Sequence, residues 1–143
     1  MLISTKGRYA LIVMIDLASH KESGYIPLRD IAERQELSQK YLEAIFKPLS
    51  DQGYVLGMRG KNGGYKLARR PEDISILEVL EITEGGIEPI SSMGAMKEGP
   101  ENNLLWLWQG LHGTIKDYLS TKNLAMLITD EEAPSQGQVA AFS

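Results

Sequence analysis

Residues 59–67 read RGKNGGYKL, with three glycines and an asparagine inside five positions and the cations Arg59, Lys61 and Lys66 around them. Before them comes YVLGM, residues 54–58, and the run YKLAR, residues 65–69, closes the stretch. Both flanks are short runs of aromatic, β-branched and other apolar residues, and the Gly/Asn centre supplies the positive φ that a tight hairpin turn demands. The stretch predicts a β-hairpin. Its tip and flanks are expected to gather Arg59, Lys61, Lys66, Arg69 and Arg70.

What lies upstream gives that hairpin its meaning. Ser4 is a suitable N-cap for a first helix that carries Tyr9, Leu11, Ile12, Ile15 and Ala18 on one face and stops by Gly24. PLRDIAERQEL starts at Pro27, repeats apolar residues at Leu28, Ile31 and Ala32, and is spent by Leu37. Ser38 then caps SQKYLEAIFKPLSDQG, which sets Tyr41, Leu42, Ile45, Phe46 and Leu49 on one face, with a kink expected at Pro48 and a stop at Gly53. Two helices across a break of three or four residues form a helix-turn-helix. A flexible cationic hairpin directly after one is the sequence form of a winged helix. Gly60, Gly63 and Gly64 would let the wing tip approach a phosphate wall or enter a narrow minor groove, where an Arg gains from the enhanced negative potential.

Rival readings of the same stretch lack their context. A Walker loop needs Gly-Lys followed by Ser or Thr, and here Lys61 is followed by Asn62. A GxxG clamp fits Gly60 to Gly63 literally, but that loop joins two helices, whereas these flanks are strand-like. The bland alternative is a structural hairpin with solvated charges.

A chain of 143 residues with 43% hydrophobic content fits one ordinary domain with a short appendage. The net charge of −4 conceals a division. Residues 1–70 hold 12 basic and 7 acidic side chains, or +5, whereas residues 71–143 hold 3 and 12, or −9. Such asymmetry points to a polyanionic partner for the amino-terminal half. No apolar run approaches the roughly 20 residues of a membrane span, and MLISTKGRYA lacks the apolar core of a signal peptide, so a cytoplasmic protein with no membrane partner is expected. With zero cysteines the chain has no thiolate nucleophile, no disulfide and no cysteine-held metal site.

Beyond Pro71 a capping box, Ser75 with Glu78, opens a helix carrying Ile76, Leu77, Val79, Leu80 and Ile82 that ends at Gly85 and Gly86. GIEPISSMGAMKEGPE, residues 86–101, reads as a long loop of small residues. From about Asn102 a longer helix places Leu104, Leu107, Trp108, Leu111, Ile115, Tyr118 and Leu119 on a stripe facing home, with Leu105, Trp106 and His112 off it. Apolar residues on more than one face predict dimerisation. After the short apolar segment NLAMLI, residues 129–143 lack periodicity and read as a disordered tail. His20 and His112 have no nucleophile and carboxylate at catalytic spacing, and Asp117 falls on a different helical face from His112, so no enzyme is expected.

Four segments carry a family likeness: ISTKGRYAL at the start, SQKYLEAIFKPL, RGKNGGYKLAR and ISILEVLEITEG. Together they resemble the Rrf2 family of bacterial winged-helix transcription regulators, over Met1 to about Gly86 and more weakly beyond. The resemblance implies a homodimer on a pseudo-palindromic operator of double-stranded DNA, with the long penultimate helix crossing between subunits. By position it implies that Ser38, Gln39, Lys40, Tyr41 and Glu43 begin a recognition helix in the major groove, where Glu43 could accept from a cytosine amine. The wing Arg59 would enter the minor groove, with Gly60, Lys61, Gly63, Gly64 and Lys66 beside it, and Ser4, Thr5, Lys6 and Arg8 would meet phosphates. Sensing members hold an iron–sulfur cluster with three loop cysteines. Here that loop reads ISSMGAMKEGPENN and holds neither thiol nor imidazole. Either the chain is naturally cluster-free or ligand cysteines have been replaced, with Ser92 and Ala95 of suitable size for former ligand positions. Some cluster-free relatives answer to an enzyme of cysteine synthesis, which makes a metabolic enzyme a candidate partner.

The fold class expected is mainly α with a small β-hairpin: residues 1–71 a winged helix-turn-helix, 72–128 a helical dimerisation and sensor region, 129–143 the tail. The function expected is sequence-specific DNA-binding regulation, as a repressor. The alternative is a winged-helix interaction module whose exposed apolar helix binds a partner protein.

Overall fold

A computed structural model describes residues 3–85 and 100–128. Most of the expected long loop, with Ser92 and Ala95, and the tail 129–143 lie outside the described residues. The elements follow in the order α1 Thr5–Ser19, α2 Leu28–Gln35, α3 Gln39–Asp51, β1 Val55–Met58, β2 Gly64–Leu67, α4 Ile76–Glu84 and α5 Pro100–Ser120.

Ser4 caps α1 by accepting from the Gly7 N–H at 3.0 Å. The helix ends at Ser19, short of Gly24, because Lys21–Ser23 form a separate 3-10 turn before Gly24 takes a φ of 72°. Its core face also differs from the expected one. Ala10, Val13, Met14 and Leu17 are buried, whereas Tyr9, Leu11, Ile12 and Ile15 are only half-buried. Six consecutive apolar residues, Ala10 to Ile15, offer a helix an apolar group in every direction, so period alone cannot select the face.

Pro27 precedes α2, and Glu36 closes it in the left-handed region at φ 54° with its N–H returned to the Ala32 carbonyl. Ser38 caps α3 through the Tyr41 N–H at 3.0 Å, so residues 36–38 make the turn between the two helices. Leu42, Ile45, Phe46 and Leu49 are fully buried as expected, and the helix runs through Pro48 to Asp51. Proline deprives the Ala44 carbonyl of its helical donor there.

The hairpin is antiparallel, pairing Val55 with Leu67 and Met58 with Gly64. Tyr65 also exchanges both backbone hydrogen bonds with Ile26, at 2.8 and 2.9 Å, adding the chain between α1 and α2 as a one-residue third strand. The Tyr65 ring stacks on Phe46 with centroids 4.3 Å apart, which fixes the wing to α3. Ser75 and Glu78 form the expected capping box on α4, which ends at Gly85 in the left-handed region. α4 packs on α1 and α3 and places Val79 and Leu80 in the same core, and Leu124 joins it. Leu124 donates to the Ile74 carbonyl at 3.0 Å, and Ile76 donates to the Lys122 carbonyl at 2.8 Å.

Candidate nucleic-acid interface

Between the exposed face of α3 and the wing runs an open groove of about 860 Å³, floored by Tyr65 and lined by Gln39, Glu43 and Lys47 from α3 and by Arg59, Gly60 and Lys61 from the wing. Burial pushes the Tyr65 phenol up, with the Glu43 carboxylate adding to that shift and Arg59 opposing it. Glu43 and Arg59 thus share one groove as acceptor and donor. Of the five recognition candidates, Gln39, Lys40 and Glu43 are exposed on the early turns of α3. Ser38 is occupied as the cap, and Tyr41 stands edge-on against Tyr9, centroids 6.0 Å apart, so its ring serves the packing of α3 on α1.

The wing needs its glycines for its own turn more than for a ligand. Gly60 takes a φ of 108°, and the Gly63 N–H closes the tip onto the Gly60 carbonyl at 3.1 Å. Gly63 is buried, and a Cβ there would collide with the Met58 carbonyl. Gly64, at φ 145°, abuts the Ile26 carbonyl. Only Gly60 of the three faces open space. Asn62 is not among the positive-φ residues.

The five wing cations do not gather at one site. Arg59 and Lys61 line the main groove, while Lys66, Arg69 and Arg70 line a smaller one of about 310 Å³ with Lys21. Strand alternation turns Lys66 away from the groove, since Tyr65 points at Phe46 and its neighbour must point the other way, and Arg69 and Arg70 lie beyond β2. Lys66 lies 4.6 Å from the centre of the Tyr25 ring, Arg69 lies 4.0 Å from that of Tyr54, and Arg70 pairs with Asp73 at 2.9 Å. Arg59, Lys61 and Lys40 have no acidic partner within 4.0 Å among the described residues.

At the start of α1, Thr5 and Arg8 are exposed and Lys6 is half-buried. Neither α1 nor α3 has an acidic residue in its first turn; both carry a lysine there, against the usual preference at the positive end of a helix dipole. Cations retained at helix N-termini make those ends doubly receptive to an external anion. Arg29, which the sequence reading missed, lies at the start of α2, where Asp30 already supplies an acid in the first turn. It lines the main groove and has Asp30, 4.0 Å away, as its acidic neighbour among the described residues.

Away from the groove, α5 presents Leu104, Trp106, Leu107, Leu111 and Tyr118 to solvent, Trp106 at 75% exposure. The stripe expected to face home is therefore divided. Ile115 and Leu119 pack against the core, with Trp108 half-buried, while Leu104, Leu107 and Leu111 follow helical spacing on the open side. His20 Nδ1 donates to the Asp16 carbonyl, 2.8 Å away, while the His112 Nδ1 has no partner among the described residues.

A helix-turn-helix with a wing, bearing unpaired cations on the faces that converge on one groove, defines a winged-helix DNA-binding regulator. The sequence pattern of the Rrf2 family, described as an iron-dependent transcriptional regulator, matches residues 3–130, and the chain belongs to that family. It is 35% identical over 136 residues to the HTH-type transcriptional regulator IscR of Aliivibrio salmonicida, covering 92% of this chain and 80% of that one. IscR of Cereibacter sphaeroides is 34% identical, with 99% and 96% covered. Among solved structures, CymR (YrzC), the global cysteine regulator of B. subtilis, superposes with a TM-score of 0.77 at 36% identity, over 91% of this chain and 99% of that one. T. potens IscR gives 0.75 at 34%, over 98% and 96%. The protein is a DNA-binding transcription regulator and not an enzyme.

The residues present do not fit a cysteine-held iron–sulfur cluster. The chain has no cysteine and two histidines, and no three His, Asp or Glu among the described residues converge as a metal site. No helix among the described residues is long and apolar enough to cross a membrane.

Proposed function

We propose that the protein is a cytoplasmic, homodimeric repressor of a pseudo-palindromic operator. Each α3 lies in a major groove, with Gln39, Lys40 and Glu43 at base edges and phosphates, and each Arg59 reaches the adjacent minor groove. Lys61, Arg29, Lys6 and Arg8 neutralise backbone phosphates, with Ser4 and Thr5 beside them at the α1 start. The single observation carrying this reading is the groove between α3 and the wing, whose cations Arg59 and Lys61 lack a protein partner among the described residues. The open apolar stripe of α5 supports dimerisation, because a row of Leu104, Leu107 and Leu111 beside Trp106 in water is costly until covered. Two-fold symmetry then calls for half-sites a whole number of helical turns apart, roughly 34–36 Å for each turn. Residues 72–128 form the dimerisation and signal-receiving region. With no thiol available for a cluster, we assign the signal to a partner acting on the acidic carboxyl-terminal half, a metabolic enzyme being the candidate.

Selection from a random duplex library by the purified protein tests the proposal. It should enrich a pseudo-palindrome, and the charge reversals K40E and R59E should abolish enrichment while leaving the dimer intact. Enrichment of nothing at low salt, or of an asymmetric single half-site, would overturn it.

A further inference from the structure

Glu84 is the last residue of α4, yet its carboxylate serves another helix. Its Oε1 accepts from the Ser4 N–H at 2.9 Å and from the Ser4 hydroxyl at 2.7 Å, across 80 residues of sequence. Ser4 Oγ in turn accepts from the Gly7 N–H. The seat is shaped for the group: a Cβ at position 7 would collide with that same carboxylate oxygen. With no acid of its own in the first turn and with Lys6 and Arg8 beside it, α1 receives its anion from α4.

We propose that the Glu84 carboxylate is an intramolecular stand-in for a DNA phosphate, held at the start of α1 and set against the phosphate that the operator brings there. The inference rests on the reading of Ser4, Thr5 and Lys6 as phosphate contacts. The polar groups of Ser4 cannot serve both anions fully, and a carboxylate about 6 Å from a phosphate weakens binding about threefold even at the dielectric of water. Doubled by symmetry, the effect is about tenfold. Because Glu84 ends α4, a shift of α4 relative to α1 changes how firmly the stand-in is seated, and so changes operator affinity without altering α3 or the wing.

The test titrates full-length wild type, Glu84→Gln, Glu84→Ala and Lys6→Ala against the selected duplex by fluorescence anisotropy, from about 50 to about 200 mM salt. Glutamine retains a carbonyl oxygen for both Ser4 donors and removes only the charge, and alanine removes the charge without leaving an acceptor. Both Glu84 variants should bind about threefold to tenfold tighter at low salt, with the gain shrinking as salt screens the repulsion. Lys6→Ala should bind more weakly with a flatter salt dependence. If Lys6→Ala weakens binding while neither Glu84 variant gains, or the gain ignores salt, the stand-in is refuted and the phosphate reading survives. If Lys6→Ala changes nothing, the phosphate reading of the α1 start fails and takes the inference with it.

Discussion

Asp16→Asn should destabilise the fold by about 2–3 kcal/mol, and the structure says why. The Asp16 side chain is 2% exposed and takes three hydrogen bonds: Arg34 Nε at 2.9 Å, a second Arg34 nitrogen at 2.6 Å and Gln35 Nε2 at 2.9 Å. This forked pair ties the last turn of α2 to α1 immediately before the turn into α3. Asparagine keeps the shape but aims an NH₂ at Arg34 or Gln35, leaving buried donors opposed. Breaking a buried pair costs about 3–5 kcal/mol. Arg34 is 36% exposed and can rehydrate, so the loss falls at or somewhat below the bottom of that range. For a domain of this size that lowers the melting temperature by roughly 5–10 °C. Circular dichroism melts at one protein concentration measure it. The pH dependence supplies a second check. Burial alone would raise the Asp16 carboxyl, but the hydrogen bonds from Arg34 and Gln35, with the charges of Arg34 and His20, hold it below the usual carboxylate range. A carboxylate with a depressed folded value contributes stability at neutral pH and loses it as pH falls through that value. The gap between wild type and Asp16→Asn should therefore be full at pH 7 and narrow in acid, below the usual carboxylate range. A variant melting within about 2 °C of wild type at neutral pH, or a gap that holds constant into acid, would refute the reasoning.

Three further outcomes follow from the site. Arg59→Ala should cost about 1–3 kcal/mol of operator affinity and reduce the salt slope by about 0.9 per subunit, read in anisotropy titrations. Leu107→Asp with Leu111→Asp should give a folded monomer in sedimentation equilibrium, because two carboxylates on the open α5 stripe oppose its burial without touching the core. Gly63→Ala should loosen the wing by about 1–3 kcal/mol, since its Cβ has no room beside the Met58 carbonyl; hydrogen exchange at the Gly63 and Tyr65 amides reports the opening.

What could be read from the sequence was local. Ser4, Ser38 and Ser75 were legible as caps because a cap is settled within three residues, and the hairpin because its turn requires residues with positive φ. The buried face of α3 was legible because only one of its faces is apolar. The faces of α1 and α5 were not, since both helices are apolar on two sides and the choice is made by what packs there. Contacts between distant elements left no mark either. Asp16 meets Arg34 across 18 residues, Glu84 meets Ser4 across 80, and Ile26 becomes a strand only because Tyr65 lies beside it. The placing of Lys66 with Arg59 failed for a simpler reason: neighbours on a strand face opposite ways, which puts Tyr65 and Lys66 on different surfaces.

The central claim is that the unpaired cations around α3 and the wing neutralise DNA phosphates in a symmetric dimer. The salt dependence of binding to the selected duplex measures this most directly. Log affinity should fall linearly with log salt, with a slope of about −0.9 for each phosphate contacted, and Arg59→Ala with Lys61→Ala should flatten it. A slope near zero, or one unchanged by removing both cations, would contradict it.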